Sequence, residues 1–471
     1  MIPRVVLAGT SSGAGKTSVT CGVIGALRRR GLAVQGFKVG PDYIDPSYHA
    51  LASGRPGRNL DAFLSGPELI APLARHGARG ADLAVVEGVM GLFDGASGRG
   101  ELASTGHVAK LLHAPVLLVV DAAAMARSVA AVVHGYRTFD PDIDVAGVIF
   151  NKVGSDHHEE LLREAVAPLG VPVLGALRRD ERVTAPERHL GLVPALEHEQ
   201  RTRAALAALA DAAQLHVDLE GIVALARAAP GLDGAAWSPE PAEPQAGAQR
   251  GDGAQRADGA ERTRIAIARG PAFSFHYREN LELLEAAGAQ LAPFDPLTDS
   301  ELPGGGDEIG ALLLAGGFPE VFGPDLEANA PLRAAVAAFA ASGRPVLAEC
   351  GGLLFLCREL DGRQMCGVLP ASARMTGRLR LGYREATAAT TTPWIRAGEQ
   401  VRGHEFHYSQ VEPADGAPGA AWTLAARGRE RPEGFAAGSV QASYLHVHWA
   451  AHPELAQRLV RAARAVPAAA A

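Results

Sequence analysis

Aromatic side chains are scarce in this 471-residue chain, at 5%, and cysteines are scarcer still, at four. Cys21, Cys350, Cys357 and Cys366 follow no metal-ligand spacing, and in a chain this long they make no disulfide framework. Free thiols and a cytoplasmic location are therefore expected. No run of about 18 apolar residues occurs, which argues against a membrane-spanning helix. Near the start only a short apolar run precedes a Thr/Ser/Gly loop, so no signal peptide is expected. Positive charge is not in excess either. A formal charge of −7 gives no overall attraction to phosphate backbones, and neither nucleic acid nor membrane is expected as a partner.

Glycine and proline are plentiful, at 55 and 31 residues, and 47% of the chain is apolar, the composition of a globular protein with many turns. The length exceeds what one hydrophobic core usually serves, so two domains are expected. From Arg4 to Leu177, short β-branched runs (Val5 to Ala8, Val34 to Val39, Leu83 to Val86, Val116 to Val120, Val145 to Phe150, Val171 to Leu177) alternate with helical patterns. Apolar strands separated by helices predict a parallel sheet covered on both faces. Between Ala228 and Arg264 the composition turns to Pro, Ala, Gly, Gln and charge, as in a linker. A second alternation follows, with strands at Ile265 to Ala268, Ala311 to Leu314 and Val346 to Ala348 and helices at Glu279 to Ala287 and Leu332 to Ala341. The expected division is a nucleotide domain over 1–227, a linker over 228–263, a second α/β domain over 264–455 and an Ala-rich tail over 456–471.

The stretch Gly9 to Thr17 (GTSSGAGKT) follows an apolar strand and opens the helical run Ser18 to Arg30. That is where a phosphate cradle belongs: small residues such as Gly13 and Gly15 let backbone N–H groups approach anionic oxygens, and the helix N-terminus favours negative charge. Lys16 supplies a mobile cation for the β- and γ-phosphates of ATP, and the Thr17 hydroxyl can complete a Mg²⁺ shell. The common spelling G-x-x-x-x-G-K-[ST] wants Gly at position 10, where Thr10 stands and Gly9 comes one place early, so the loop is a lengthened variant. Glu87 ends another apolar strand and is followed by a loop to Asp94 and Gly95, while Lys38 ends a third and precedes Gly40 to Pro46 (GPDYIDP). In an open parallel sheet such strand ends line one crevice, which brings Lys16, Lys38, Asp42, Glu87 and Asp94 together. For any one of them, a solvated loop charge is the blander alternative. Asn151, after the strand Val145 to Phe150, has the place of a base reader without the acidic residue of a guanine reader, so adenine contact is expected there.

In the second domain Val346 to Leu353 (VLAECGGL) runs from a strand through a Gly turn into a helix. Such an elbow is expected to hold the Cys350 sulfur exposed, with the following helix favouring thiolate. An unperturbed thiol, with a pKa near 8.5, still needs a base. Ser443 to Trp449 carries His446 and His448 two residues apart, on one face if the segment is a strand; one of them is expected to accept the proton and return it to leaving ammonia. N–H groups of Gly351 and of the loop Ala315 to Glu320, Gly317 among them, can stabilise the oxyanion. Against this stands the commoner fate of a lone cysteine, a small buried hydrophobe, which is how Cys357 and Cys366 read.

These stretches, together with Gly403 to Ser409 (GHEFHYS), resemble the cobyrinic acid a,c-diamide synthases, including the hydrogenobyrinic acid form, over nearly the whole chain. The lengthened loop is similar to that of dethiobiotin synthetases. The resemblance implies a P-loop-type parallel-sheet synthetase domain and a class I glutamine amidotransferase-like α/β domain. ATP would phosphorylate a corrin carboxylate, and ammonia from glutamine would displace the phosphate, twice per product. It implies Lys16 and Thr17 for ATP and Mg²⁺, Asp42 and Glu87 for metal or substrate, Tyr43, Asp45 and Asp94 on the substrate side, Cys350 as nucleophile and His446 as its base. Triad glutaminases carry Glu two places after the histidine, where this chain has His448. His452-Pro453-Glu454 has that spacing, but Pro453 reads as a helix start. Cobyric acid synthase, a nickel-sirohydrochlorin amidase and a partitioning-type ATPase switch with an inactive glutaminase-like module are the rival readings, and a homodimer is left open.

Overall fold

The computed structural model describes residues 2–179, 187–188, 191–192, 195, 197–240, 262–426 and 428–465. The chain divides into two compact units, Met1–Trp237 and Ser238–Ala471.

In the first unit, β1 (Arg4–Gly9), β2 (Val34–Val39), β3 (Arg58–Leu60), β4 (Leu83–Glu87), β5 (Val116–Asp121), β6 (Val145–Val153) and β7 (Val173–Arg178) form one seven-stranded sheet. Its order is β3-β2-β4-β1-β5-β6-β7, with every pairing parallel. All six residues of β1 and of β2 are buried, as strands covered on both faces require. Helices α1 (Lys16–Arg29), α2 (Ile44–Ser53), α3 (Ile70–Gly77), α4 (Thr105–Leu111), α5 (Val129–Thr138) and α6 (Asp156–Val166) connect the strands, and α7 (Glu199–His216) and α8 (Leu219–Ala228) pack back on α1 and β1. A short antiparallel ladder joins β8 (Glu187–Arg188) and β9 (Gly191–Leu192). The connection after β1 leads to one side of the sheet and that after β4 to the other, so the carboxyl end of β1 is a switch point where a ligand crevice opens. After Ala228, where a linker was expected, the chain stays on this unit. Trp237 packs edge-on against His76, with ring centroids 4.9 Å apart, and its N–H donates to the Pro72 carbonyl at 3.0 Å. Residues 241–261 of that expected linker lie outside the described residues.

In the second unit, β10 (Thr263–Ala268), β11 (Ala289–Phe294), β12 (Ile309–Leu314), β13 (Val346–Glu349), β20 (Phe435–Ala437) and β21 (Val440–Ser443) make a six-stranded sheet of order β11-β10-β12-β13-β21-β20. Only β20 runs antiparallel to its neighbour. Helices α9 (Arg278–Ala286), α10 (Gly323–Ala328), α11 (Ala330–Ala341) and α12 (Gly351–Leu356) fill the connections. A second sheet is built on the long antiparallel pair β16 (Ala371–Ala388) and β17 (Gln400–Pro413). To it are added β14 (Glu359–Leu360), β15 (Arg363–Gln364), β18 (Trp422–Ala426), β19 (Arg429–Glu433) and β22 (His446–Val447). Residues 456–465 of the segment set apart above as a tail are part of this fold, and 466–471 lie outside the described residues: α13 (Pro453–Ala465) buries Leu455, Ala456, Leu459, Val460 and Ala463 and packs on β12 and α9. Its apolar positions recur at helical spacing, which frames a buried stripe that alanine-rich flanks had obscured. Among the described residues, no helix is long and apolar enough to cross a membrane.

Candidate active sites

At the end of β1 the chain turns through residues 10–15 into α1. Gly15 stands at φ 88°, in the left-handed region, and a Cβ there would sit 2.0 Å from the Asn151 amide nitrogen. Asn151 donates from Nδ2 to the Ala14 carbonyl (3.1 Å), so it packs on the loop itself. Tyr136 secures the other end, its hydroxyl donating to the Thr10 carbonyl at 2.5 Å. Gly9 explains the lengthened spelling: a Cβ there would meet the Lys16 chain at 3.0 Å, so the glycine makes room for the lysine to fold back. The Lys16 ammonium donates to the carbonyls of Ser11 (3.0 Å) and Met90 (2.6 Å). Met90 holds a positive φ of 48° outside glycine, a strained conformation of the kind found at binding loops. Burial, and secondarily the Lys38 charge, lower the Lys16 pKa to about 8.

Glu87 is fully buried and gathers the other groups. Its Oε1 accepts from the Thr17 hydroxyl (2.6 Å) and the Lys38 ammonium (2.8 Å), and its Oε2 lies 2.6 Å from Nε2 of His49. Lys38 also pairs with Asp45 (2.6 Å) and donates to the Gly88 carbonyl (2.9 Å). An ammonium has three N–H groups, and these partners take all of them, so Lys38 as it stands holds Glu87 and Asp45 rather than facing phosphate. Burial works against the Lys38 charge, but the two carboxylates outweigh it and raise its pKa. Burial likewise opposes the Glu87 charge, and Lys38 with His49 prevails, holding its pKa far below the usual range. Burial drives Asp45 the other way, well up.

Asp42 caps the start of α2, its Oδ1 accepting from the Ile44 N–H at 2.9 Å, and Tyr43 precedes that helix half-buried. Asp94 is exposed and accepts from the Gly91 N–H at 2.8 Å. Among the described residues no group of three or more His, Cys, Asp or Glu side chains could alone hold a metal ion. The donor set does fit Mg²⁺ shared with phosphates: Thr17 gives its proton to a charged carboxylate, which leaves its oxygen lone pairs for a cation. Sequence reasoning missed His49, although Asp45 and His49, four apart on α2, share one helix face.

In the second unit β13 passes into α12 through Cys350, at φ 47° and ψ −99°. The elbow is thus strained. Its environment is not the expected one: Cys350 is only 5% exposed, and burial, with Glu320 next in weight, pushes the thiol pKa up against the opposing Gly351 N–H. Cys350 shares a buried apolar cluster with residues of β12, β13 and α12. The turn is seated by the Cys350 N–H on the Ser443 carbonyl (2.7 Å) and the Gly352 N–H on the Ala315 carbonyl (3.0 Å). Gly351 and Gly317 lie in direct contact, since a Cβ on Gly351 would fall 3.0 Å from the Gly317 nitrogen. The sulfur lies 3.8 Å from the Phe406 carbonyl of β17, inside the Gly403 to Ser409 stretch.

The histidines part company. β22 ends at Val447, so the alternation that would place both on one face stops there. His446 pairs across the sheet with His404, and its Cε1 would meet a Cβ on Gly316 at 2.5 Å; its Nδ1 is 3.5 Å from Glu349 Oε2. His448 instead lies 3.4 Å from Glu279 and against the Tyr277 ring at 4.8 Å. His446 is therefore the one beside the glycine loop. Burial, then the neighbouring His446, lower the His404 pKa to about 3, which keeps that ring neutral. His452 stands ahead of α13, its Nδ1 3.5 Å from Glu454.

A cradle at the switch point of a parallel sheet, joined in one chain to a cysteine elbow beside a glycine loop, defines a nucleotide-using glutaminase class. Comparison with known proteins agrees. Residues 5–193 match the CobQ/CobB/MinD/ParA nucleotide binding domain, and residues 264–454 match the CobB/CobQ-like glutamine amidotransferase domain. The chain is 55% identical to hydrogenobyrinate a,c-diamide synthase of Streptomyces coelicolor, over 98% of either chain. It is 48% identical to the enzyme of that name from Thermobifida fusca, over 98% of this chain and 97% of the relative. With cobyrinate a,c-diamide synthase of Syntrophotalea carbinolica the identity is 45%, over 97% and 98%. The chain belongs to the hydrogenobyrinate and cobyrinate a,c-diamide synthase family.

Proposed function

We propose that this protein uses ATP and glutamine to amidate the a and c side-chain carboxylates of hydrogenobyrinic or cobyrinic acid. The carrying observation is the 55% identity to a hydrogenobyrinate a,c-diamide synthase over 98% of either chain. In this reading the residues 10–17 cradle the triphosphate, Asn151 lies at the base end and Lys16 leaves its two carbonyl partners for phosphate oxygens. Mg²⁺, held by Thr17 with Glu87 behind it, would neutralise phosphate charge. Asp42, Tyr43, Asp45 and Asp94 edge the side from which the ring carboxylate approaches. The carboxylate oxygen attacks the γ-phosphorus, ADP leaves, and ammonia then displaces phosphate from the acyl phosphate.

Ammonia comes from glutamine. The Cys350 sulfur gives its proton to His446 and adds to the side-chain amide carbon, and N–H groups of Gly317 and Gly351 hold the oxyanion. His446 returns the proton to the departing ammonia, and water releases glutamate from the thioester. Because burial favours the thiol over the thiolate, proton transfer and attack must be concerted or follow closure on glutamine.

The test is mass spectrometry of both ring acids incubated with enzyme, ATP, Mg²⁺ and glutamine. Two amidations on either acid are expected, and no amidation on both would overturn the reading. The relatives at 55% and 48% identity are hydrogenobyrinate enzymes by name and the one at 45% a cobyrinate enzyme, which favours hydrogenobyrinic acid as the faster substrate. Cys350→Ala is expected to remove glutamine-dependent synthesis by at least about 10³-fold while ammonia-dependent synthesis persists.

A further inference from the structure

We infer that His49 is a positioning residue for the cation site: it fixes the rotation of the Glu87 carboxylate and thereby the hydroxyl of Thr17. The inference rests on the reading of Gly9 to Thr17 as an ATP and Mg²⁺ site. His49 and Glu87 are both fully buried, and Nε2 lies 2.6 Å from Oε2. An ionised carboxylate only accepts, so Nε2 carries the proton of this bond. The opposite oxygen, Oε1, takes the Thr17 hydroxyl at 2.6 Å and the Lys38 ammonium at 2.8 Å. The division matters. With Oε2 bound to His49, Oε1 alone serves Thr17. Without the imidazole, Oε2 is left buried and unpaired, and the carboxylate can relieve that only by turning toward Lys38, which pulls Oε1 away from the hydroxyl.

The fold is built to bring His49 there. Asp45 and His49 lie one turn apart on α2, so one helix face presents both groups, the first to Lys38 at 2.6 Å and the second to Glu87. On the facing strand β2, Gly36 leaves the space, since a Cβ there would come within 2.8 Å of the His49 Cβ. Partners standing behind a metal-binding group typically change metal affinity by about 10- to 100-fold when removed.

The test compares three full-length variants. His49→Gln offers an amide N–H at about the reach of Nε2; His49→Asn offers the same group one carbon shorter; His49→Leu offers none. Binding of a fluorescent non-hydrolysable ATP analogue is titrated with Mg²⁺ present and absent, and thermal unfolding monitors the fold. His49→Leu is expected to weaken Mg²⁺-dependent binding about 10- to 100-fold with metal-free binding unchanged, and Gln to restore most of it. Unchanged Mg²⁺ dependence in a folded Leu variant overturns the inference. If the Leu variant does not fold, the other two decide: Gln near wild type with Asn weakened supports it, and equal behaviour overturns it. Wild-type protein that binds no nucleotide under either condition would instead bring down the underlying site reading.

Discussion

Glu433 is buried behind the glutaminase elbow, with the Ser443 hydroxyl on one oxygen at 2.5 Å and the Tyr444 N–H on the other at 2.7 Å. Ser443 in turn accepts the Leu445 N–H at 2.9 Å and gives its carbonyl to the Cys350 N–H, so this carboxyl steadies the end of β21, which seats the Cys350 turn and leads to His446. Burial raises the Glu433 pKa from 4.5 to about 7 against those two hydrogen bonds, while Glu405 and Arg431 are the neighbouring charges, of opposite effect. An acid that holds its proton more tightly folded than unfolded stabilises the fold fully below pH 4.5 and ceases to do so as pH rises through about 7. Glu433→Gln keeps the shape and does not titrate: its amide oxygen can accept the Tyr444 N–H, and its NH2 group, which only donates, faces the Ser443 oxygen. Wild type is therefore expected to lose stability against this variant between pH 5 and pH 8, by up to about 3 kcal/mol at 1.36 kcal/mol per pH unit. Chemical denaturation at the two pH values measures it, and a difference that does not grow with pH would refute the role of burial. Residues of this kind were invisible in the sequence. Lys16, Thr17, Glu87 and Cys350 could be read because each closes or follows an apolar strand inside a contiguous stretch. His49 and Glu433 act through space on those residues, and only Asp45 and His49 left a periodic trace.

Two glycines separate the demands of space from those of backbone at the level of the element. Gly352 lies in the first turn of α12, where a Cβ would be 2.2 Å from the Leu314 carbonyl oxygen of β12. Gly135 lies in α5 with nothing within 4 Å of its would-be Cβ. Gly352→Ala must push α12 off β12 and is expected to destabilise by about 1–3 kcal/mol and to cut glutamine hydrolysis. Gly135→Ala is expected to stabilise by about 0.5–1 kcal/mol, because only helix propensity changes. Urea unfolding of both variants checks the pair; equal effects would mean that helix packing does not set the elbow. The parallel strands were legible because burial on both faces makes them continuous apolar runs. The sheet around β16 and β17 was not. β16 carries Arg374, Arg378, Arg380 and Arg384, is for the most part only partly buried, and slips register between Met375 and Arg380, so no alternation of period two survives in its sequence.

Across the whole molecule the chemistry divides between two units that each own a buried sheet, and that division predicts reciprocal losses. Among the described residues the hydrogen-bond partners of Lys16 are the Ser11 and Met90 carbonyls of the first unit, and the Cys350 N–H is seated on Ser443 of the second. In the proposed function Lys16→Ala removes the cation assigned to the triphosphate and leaves Cys350 unchanged. It is expected to lower synthesis by about 10²-fold or more with either glutamine or ammonia as nitrogen source, and to leave hydrolysis of glutamine measurable. Cys350→Ala gives the mirror image, with hydrolysis gone and ammonia-dependent synthesis kept. Because the two substitutions touch no common partner, their effects on stability should add within about 0.5 kcal/mol in the double variant. Assaying glutamate release, ADP release and amide formation side by side separates the two half-reactions. Should Lys16→Ala abolish glutamate release as fully as Cys350→Ala does, nucleotide binding would be a precondition for the thiol chemistry and the proposed independence of the two half-reactions would fail.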